Sequence, residues 1–257
     1  FDLTSALAHR HENLNNLNNK DARREVVRFS LTDRIQHFLL LISFTMLAIS
    51  GFALQYPTSF GSITLPLLGG YETRRLIHLG SAAVMAAIAA FHGLKSGYDF
   101  LKHKRIPILF RRKDLSNLIT NIKYYLRVTQ QPPLFDRFTY AEKFEYWGLI
   151  AGTVVVGVTG LYLWFSMMPP EKDPWKTLAL TLHQREALLA ALTIFMWHLY
   201  NTMLKPDVFP MDRSWITGKI PLGRLREEHP LEYKRIKGQL SSAKVGQIYA
   251  QGRIPPT

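Results

Sequence analysis

The chain has 257 residues and no cysteine, which excludes disulfides, zinc–thiolate sites, iron–sulfur ligation and covalently attached c-type haem. It is 47% hydrophobic and 20% charged, an ordinary average that hides a bunched pattern. Four mainly apolar stretches, each long enough to cross a bilayer core of roughly 30 Å as a helix, alternate with basic segments, which argues against a simple soluble fold. A formal net charge of +13 can mark a nucleic-acid binder, but its distribution between apolar stretches points to a membrane surface instead, and no nucleic-acid partner is expected.

Residues 1–27 are polar and Asn-rich (Asn13, Asn15, Asn16, Asn18 and Asn19) and read as a mobile arm without a signal-peptide-like apolar run. The chain begins at Phe1 rather than Met, as a trimmed chain or the tail of a longer one does. The first span runs over about 35–56 and ends before Pro57; the second covers about 73–94. The third covers about 144–168, stopped by Pro169-Pro170, and the fourth about 178–204, before Lys205-Pro206. Residues 28–204 thus form the membrane domain and 205–257 a basic tail.

Lysine and arginine number 6 through Arg34, 11 from Lys95 through Lys143 and 10 from Lys205 onward, against 2 and 3 in the two short connections. Basic loops stay in the cytoplasm. The expected architecture is an all-α integral membrane protein, a four-transmembrane-helix bundle with both termini cytoplasmic, in a bacterial or archaeal cytoplasmic membrane. In the middle connection, Asp114 is placed to cap a helix carrying Leu115, Leu118, Ile119, Ile122, Tyr125 and Leu126 on one face. That helix lies on the inner membrane surface or packs on a partner subunit.

Five of the nine histidines lie in or at the ends of spans: His37, His78, His92, His183 and His198. Ionisable groups inside a membrane are costly, so each points to function, although a single one would more often be a hydrogen-bonded packing residue. His78 and His92 are 14 apart on the second span, a net rotation of about −40° and a rise of about 21 Å. His183 and His198 are 15 apart on the fourth, about +60° and about 22 Å. Both spans run from outside to inside. His78 and His183 therefore sit at matching depth near the outer face, and His92 and His198 near the inner face. The first span runs the other way, which brings His37 to the inner level.

This is a geometry for two haems stacked across the membrane, each held by two imidazoles from facing helices. Small residues, among them Gly80, Ala83, Ala87, Gly152, Gly157, Gly160 and Ala187, would allow close packing, as in any membrane bundle. Arg34, Arg74, Arg75 and Arg185 flank the histidines. Either they meet haem propionates or they snorkel to the interface, and Arg185 has the further option of pairing with Glu186.

These residues resemble the cytochrome b (gamma) subunit of respiratory formate dehydrogenases and, more broadly, the b-type cytochromes of membrane-bound nickel–iron hydrogenases. The resemblance covers about residues 28–237. It rests on Arg28-Phe29-Ser30 and Asp33-Arg34-x-x-His37, Ser50-Gly51, Arg75-Leu76-Ile77-His78, Lys143 with Tyr146-Trp147, and Val158-Thr159-Gly160-Leu161-Tyr162-Leu163-Trp164. It continues through Leu182-His183, His198-Leu199-Tyr200, Gly218-Lys219-Ile220 and His229-Pro230 with Tyr233.

The resemblance implies a bundle with two haem b groups, the outer on His78 and His183 and the inner on His37 and His198. It also implies electron passage between an outer-face partner and a quinone (menaquinone or ubiquinone) at the inner face. The partner would be an iron–sulfur subunit or a multihaem cytochrome, and the primary substrate site would lie on a partner subunit.

This chain departs from the pattern in carrying His92 and in spacing the fourth-span histidines one residue further apart. The 14 and 15 spacings instead resemble the cytochrome b of quinol–cytochrome c and plastoquinol complexes, where second- and fourth-span histidines pair. The inner haem is therefore held by His198 with His37 or with His92, and a third haem could take the spare one. Where the family has Asn-x-Gly-Gln, this chain has Thr139-Tyr140-Ala141-Glu142. Tyr140, Glu142 and Lys143 are the quinone candidates, Glu142 either accepting a quinol proton or pairing with Lys143.

A quinol-oxidising cytochrome b that feeds an outer multihaem cytochrome c is the near alternative. A histidine-relay proton channel or transporter would need carboxylates alternating with histidines inside the spans, and only Glu186 stands there, near an end. A membrane metalloenzyme would need clustered ligands such as H-E-x-x-H, which the spans lack.

Overall fold

The computed structural model describes residues 24–104, 106–166 and 172–241. Most of the Asn-rich arm, the Pro169-Pro170 stop and the chain from 242 onward lie outside the described residues. Among the described residues, four helices are long and apolar enough to cross a membrane: α1 (Leu31–Gln55), α3 (Gly70–His103), α5 (Tyr140–Phe165), and α6 (Pro174–Thr193) continued to Leu204 by two π-helical segments, Ile194–His198 and Tyr200–Leu204. Their apolar side chains mostly point outward, as expected of segments whose solvent is lipid; Phe195 and Met196 are each 74% exposed.

The helix boundaries follow local chemistry. α1 opens with a reciprocal cap: Asp33 accepts from the Ser30 amide at 3.1 Å, and Ser30 Oγ accepts from the Asp33 amide at 3.2 Å. It stops before Pro57. The connection that follows holds a short helix, α2 (Phe60–Leu67), which the sequence reading treated as loop. Gly61 lets α2 fold back, because a Cβ there would stand 2.3 Å from the Ala53 carbonyl oxygen. α3 runs nine residues past the expected Leu94 end, through Ser96-Gly97, and terminates at Lys104 in the left-handed region (φ 53°). The next proline is Pro107, so nothing earlier forces a stop. Asp173 caps α6 by accepting from the Trp175 and Lys176 amides, and it also accepts from the Tyr162 hydroxyl at 2.9 Å, joining the end of α5 to the start of α6.

The chain divides into two compact units: Ile35–Ile106 with Glu145–Asp212, which carries most of the four long helices, and Pro107–Phe144 with Arg213 onward and the segment up to Arg34. The second unit gathers the middle connection and the tail, which the sequence reading set apart. Its strand β1 (Glu25–Val27) pairs antiparallel with β2 (Lys219–Pro221), Val26 opposite Ile220. With α7 (Ser214–Thr217), α8 (Leu222–Glu228) and α9 (Pro230–Ser241), they enclose a small core of Val26, Ile220, Leu222, Leu225 and Ile236. Gly218 adopts φ 77°, and its carbonyl accepts from the amides of both Arg28 and Phe29. A Cβ at that position would stand 2.7 Å from the Phe29 oxygen, so the glycine of Gly218-Lys219-Ile220 is required by the backbone.

Charged groups are buried in this unit, each with a partner. Arg28 donates to Glu232 at 2.8 Å, and Arg137 donates to the other oxygen of Glu232 at 3.1 Å. His229, which the sequence reading gave no role, is 3% exposed; its Nδ1 donates to the Asp136 carbonyl at 2.7 Å and its Nε2 faces an Arg28 amino group at 3.0 Å. Burial and then the Arg28 charge hold its pKa below the ordinary histidine value. The expected helix of the middle connection is α4 (Arg112–Tyr125), with Arg111 in the N-cap position. Asp114 closes its N-terminus from the third helical position, its carboxylate accepting from the Arg111 amide at 2.6 Å. The same carboxylate forms a buried pair with Lys143 at 2.9 Å. Leu115, Ile119, Ile122 and Tyr125 are exposed along α4, as an amphipathic face requires.

Candidate functional site

The four long helices bring four of the five span histidines together as two facing pairs. At one level, the rings of His78 on α3 and His183 on α6 stand 6.4 Å apart, inclined at 63°. At the other, the rings of His37 on α1 and His198 in the π-helical stretch stand 6.2 Å apart, inclined at 37°. Imidazole nitrogen binds a first-row metal at about 2 Å, so two imidazoles on opposite sides of one ion place their ring centres roughly 6 Å apart. Both pairs have that spacing.

The partners of the rings determine which nitrogen is free. Ser50 Oγ donates to its own helix at the Met46 carbonyl and lies 2.9 Å from His78 Nδ1. With the hydroxyl proton already committed, the oxygen accepts from Nδ1–H, which leaves Nε2 with its lone pair. On the other side the arrangement repeats: Thr159 Oγ1 donates to Val155 O at 2.6 Å and lies 3.1 Å from His183 Nδ1, which also faces Val156 O at 3.1 Å. Each hydroxyl is followed by a glycine against the same ring. A Cβ on Gly51 would stand 3.5 Å from His78 Cε1, and one on Gly160 3.0 Å from His183 Cε1. Ser50-Gly51 and Thr159-Gly160 are thus one device used twice: a hydroxyl that fixes the tautomer and a missing side chain that makes room for the ring. The recurrence of a hydroxyl residue before glycine in spans one and three was the signal available in the sequence.

At the second level His198 Nδ1 is hydrogen-bonded to the Glu145 carboxylate, an acceptor only, so Nδ1 carries the proton and Nε2 is again free. Glu145 was not among the expected site residues, and the count that found only Glu186 among the span carboxylates passed over it; a carboxylate in the first turn of the third span, about 144–168, was its signal. His92 differs. Its Nε2 lies 2.8 Å from the Tyr146 hydroxyl and its Nδ1 3.2 Å from Gln36 Oε1, so both ring nitrogens are engaged.

The stretch between His183 and His198 is not α-helical throughout: it turns π from Ile194. A π turn holds about one residue more than an α turn, so it takes up an inserted residue while keeping the flanking helix in phase. The 100°-per-residue projection that put His92 beside His198 does not hold across this segment.

The expected propionate partners are distributed unevenly. Arg74, 8% exposed, donates to Ser50 O at 3.1 Å, and its Nε is buried with no hydrogen-bond partner among the described residues, as a group awaiting an anion would be. Arg75 is exposed and 3.8 Å from Glu72. Arg34 donates to the Ile216 carbonyl at 2.7 Å within the second unit. Arg185 is exposed, and the Glu186 carboxylate lies toward Gly152. Of the quinone candidates, Tyr140 OH accepts from Asn121 at 2.8 Å, and Glu142 caps α5 through the Thr139 amide at 2.6 Å. Lys143 pairs with Asp114, so the alternative of a Glu142–Lys143 surface pair is replaced.

A family model, prokaryotic cytochrome b561, matches residues 28–209. The chain belongs to that family. It is 23% identical over 217 residues to the formate dehydrogenase cytochrome b556(fdo) subunit of Escherichia coli K12, which covers 84% of this chain and 95% of the relative. It is also 23% identical over 221 residues to the nitrate-inducible formate dehydrogenase cytochrome b556(Fdn) subunit of the same strain, covering 82% and 92%. As a cytochrome b561 relative with four apolar spans, the chain is a multi-pass membrane cytochrome b, and its cofactor is haem b. The facing imidazoles, with Nε2 left open on His78, His183 and His198 by their Nδ1 bonds, the two glycine notches and the unpartnered Arg74 nitrogen fit that group.

Proposed function

We propose that this chain is the dihaem cytochrome b subunit of a respiratory oxidoreductase complex in the bacterial cytoplasmic membrane. It would carry electrons across the membrane between a redox partner at the outer face and a quinone near the inner face. The observation that carries the reading is the presence of two facing imidazole pairs at two levels of one bundle. His78 and His183 hold the outer haem and His37 and His198 the inner one, with His92 outside the ligand set. Bound haem would supply a one-electron carrier at each level; the chain supplies the ligands, fixes the tautomers of His78, His183 and His198 and keeps water from the apolar interior. Arg74 is the propionate partner for the outer group. The distribution of lysine and arginine supports both termini and the middle connection being cytoplasmic, which puts the His78–His183 level outside.

The named relatives are cytochrome subunits of formate dehydrogenase, which supports an iron–sulfur subunit as the outer partner and substrate chemistry on another chain. The quinone is placed at the inner end of α5, where Glu142 is the protonatable candidate beside Tyr140. The test is reoxidation of the dithionite-reduced protein by a menaquinone analogue. Glu142→Gln retains the cap of α5 and both haems but slows reoxidation; an unchanged rate removes Glu142 from the reading. Lack of any reaction with quinone in the wild type would remove the quinone itself.

A further inference from the structure

The two histidine levels are anchored by different chemistry. His78 and His183 donate their Nδ1 protons to neutral oxygens, the hydroxyls of Ser50 and Thr159. His198 donates its proton to the carboxylate of Glu145, one helix away on α5. Both members of that pair are only partly exposed, 31% for His198 and 22% for Glu145, so bulk water screens the interaction incompletely. Sequence position does not require it: Glu145 stands inside an apolar span, where a carboxylate is costly unless it is used.

We infer that Glu145 is a positioning residue for the axial ligand His198 and that its negative charge sets the reduction potential of the haem held there. The inference rests on the dihaem reading above. A carboxylate on Nδ1–H does two things. It fixes the tautomer and ring orientation, and it pushes electron density onto Nε2, raising its basicity as a ligand. A more basic ligand and a nearby anion both favour the ferric ion, which carries one more positive charge than the ferrous ion. The haem at this level is therefore poised lower than neutral anchoring would leave it, while the haem at the His78–His183 level is not. Second-level tuning of this kind is one of the few levers a protein has over a haem whose two ligands are both histidine.

The experiment is a spectroscopic redox titration of the purified full chain in lipid, wild type against Glu145→Gln. Glutamine can still accept from Nδ1–H but removes the charge. The expected result is that both haems are retained and one midpoint rises by the equivalent of about tenfold in the reduction equilibrium, about 59 mV for one electron. The component that moves must be the one missing in His37→Ala, and the other must stay in place. An unmoved midpoint with both haems present overturns the inference and leaves the dihaem reading standing; a wild type without haem overturns the dihaem reading itself. Should Glu145→Gln fail to hold the second haem, Glu145→Asp, which keeps the anion, decides. Restored haem with a midpoint near the wild type's supports the inference, and loss of that haem from both variants overturns it.

Discussion

His37 and His198 face each other with ring centres 6.2 Å apart, whereas His92, on the neighbouring span, has both ring nitrogens occupied by Gln36 and Tyr146. A histidine without a free lone pair is a poor metal ligand. His37→Ala is therefore expected to lose one haem per chain and His92→Ala to keep both. Haem-to-protein ratios of the two variants check this, and equal loss in both would contradict the pairing.

The other pair predicts independent loss. His78→Ala or His183→Ala should each remove one haem and leave the other, because the two levels share no ligand. Retention of both haems in either variant would dissociate these residues from the iron.

Gly160 is the tighter of the two glycine notches, since a methyl group there would meet His183 Cε1 at 3.0 Å. Gly160→Ala is expected to displace the ring and lower occupancy of the His78–His183 haem, with Gly51→Ala, at 3.5 Å, milder. The two occupancies, measured side by side, check the order; a reversed order would mean that ring clearance does not govern binding.

The Asp114–Lys143 pair is buried on both sides. Removing one partner strands a charge, so Asp114→Ala should cost about 3–5 kcal/mol, and the double variant with Lys143→Met should recover much of it. Denaturation followed by hydrogen-exchange protection at Val26 and Ile220 would read both. A double-variant cost equal to the sum of the costs of Asp114→Ala and Lys143→Met alone would mean that the pair is not coupled.

The buried His229 gives this unit a pH dependence. Its folded pKa lies below the ordinary 6.5, so as pH falls below about 6.5 the unfolded chain takes up a proton that the folded one resists, and stability is lost on the way down to the folded value. Hydrogen-exchange protection factors at Val26 and Ile220, each rate taken relative to the free-peptide rate at the same pH, should therefore fall between about pH 7 and about pH 5.5, and His229→Gln should flatten that slope. Identical slopes would exclude His229 as the source.

Much of this molecule was legible in the sequence because membranes simplify it. Apolar length marked the four spans, and the spacing of His78, His92, His183 and His198 exposed the two levels. The choice between His37 and His92 was not legible from periodicity, because the projection assumes an α-helix and the fourth helix is π over Ile194–Leu204. The resemblance around Arg34-x-x-His37 favoured the observed pair. The roles of Ser50 and Thr159, quoted only as motif residues, and that of Glu145 were not legible for another reason: each acts on a histidine from a different helix, and such contacts leave no local period. The burial of His229 and Arg28 was not legible because their partners, Asp136 and Glu232, lie far along the chain. α2 was hidden because eight residues bounded by Pro57 and Gly69-Gly70 look like a loop.

The central claim is tested most directly by one measurement on the purified wild-type chain: the dithionite-reduced visible spectrum with haem quantified against protein. The account predicts a sharp b-type band, two haem b per chain and a redox titration with two components. A colourless protein, or a single haem that survives both His78→Ala and His37→Ala, would contradict it.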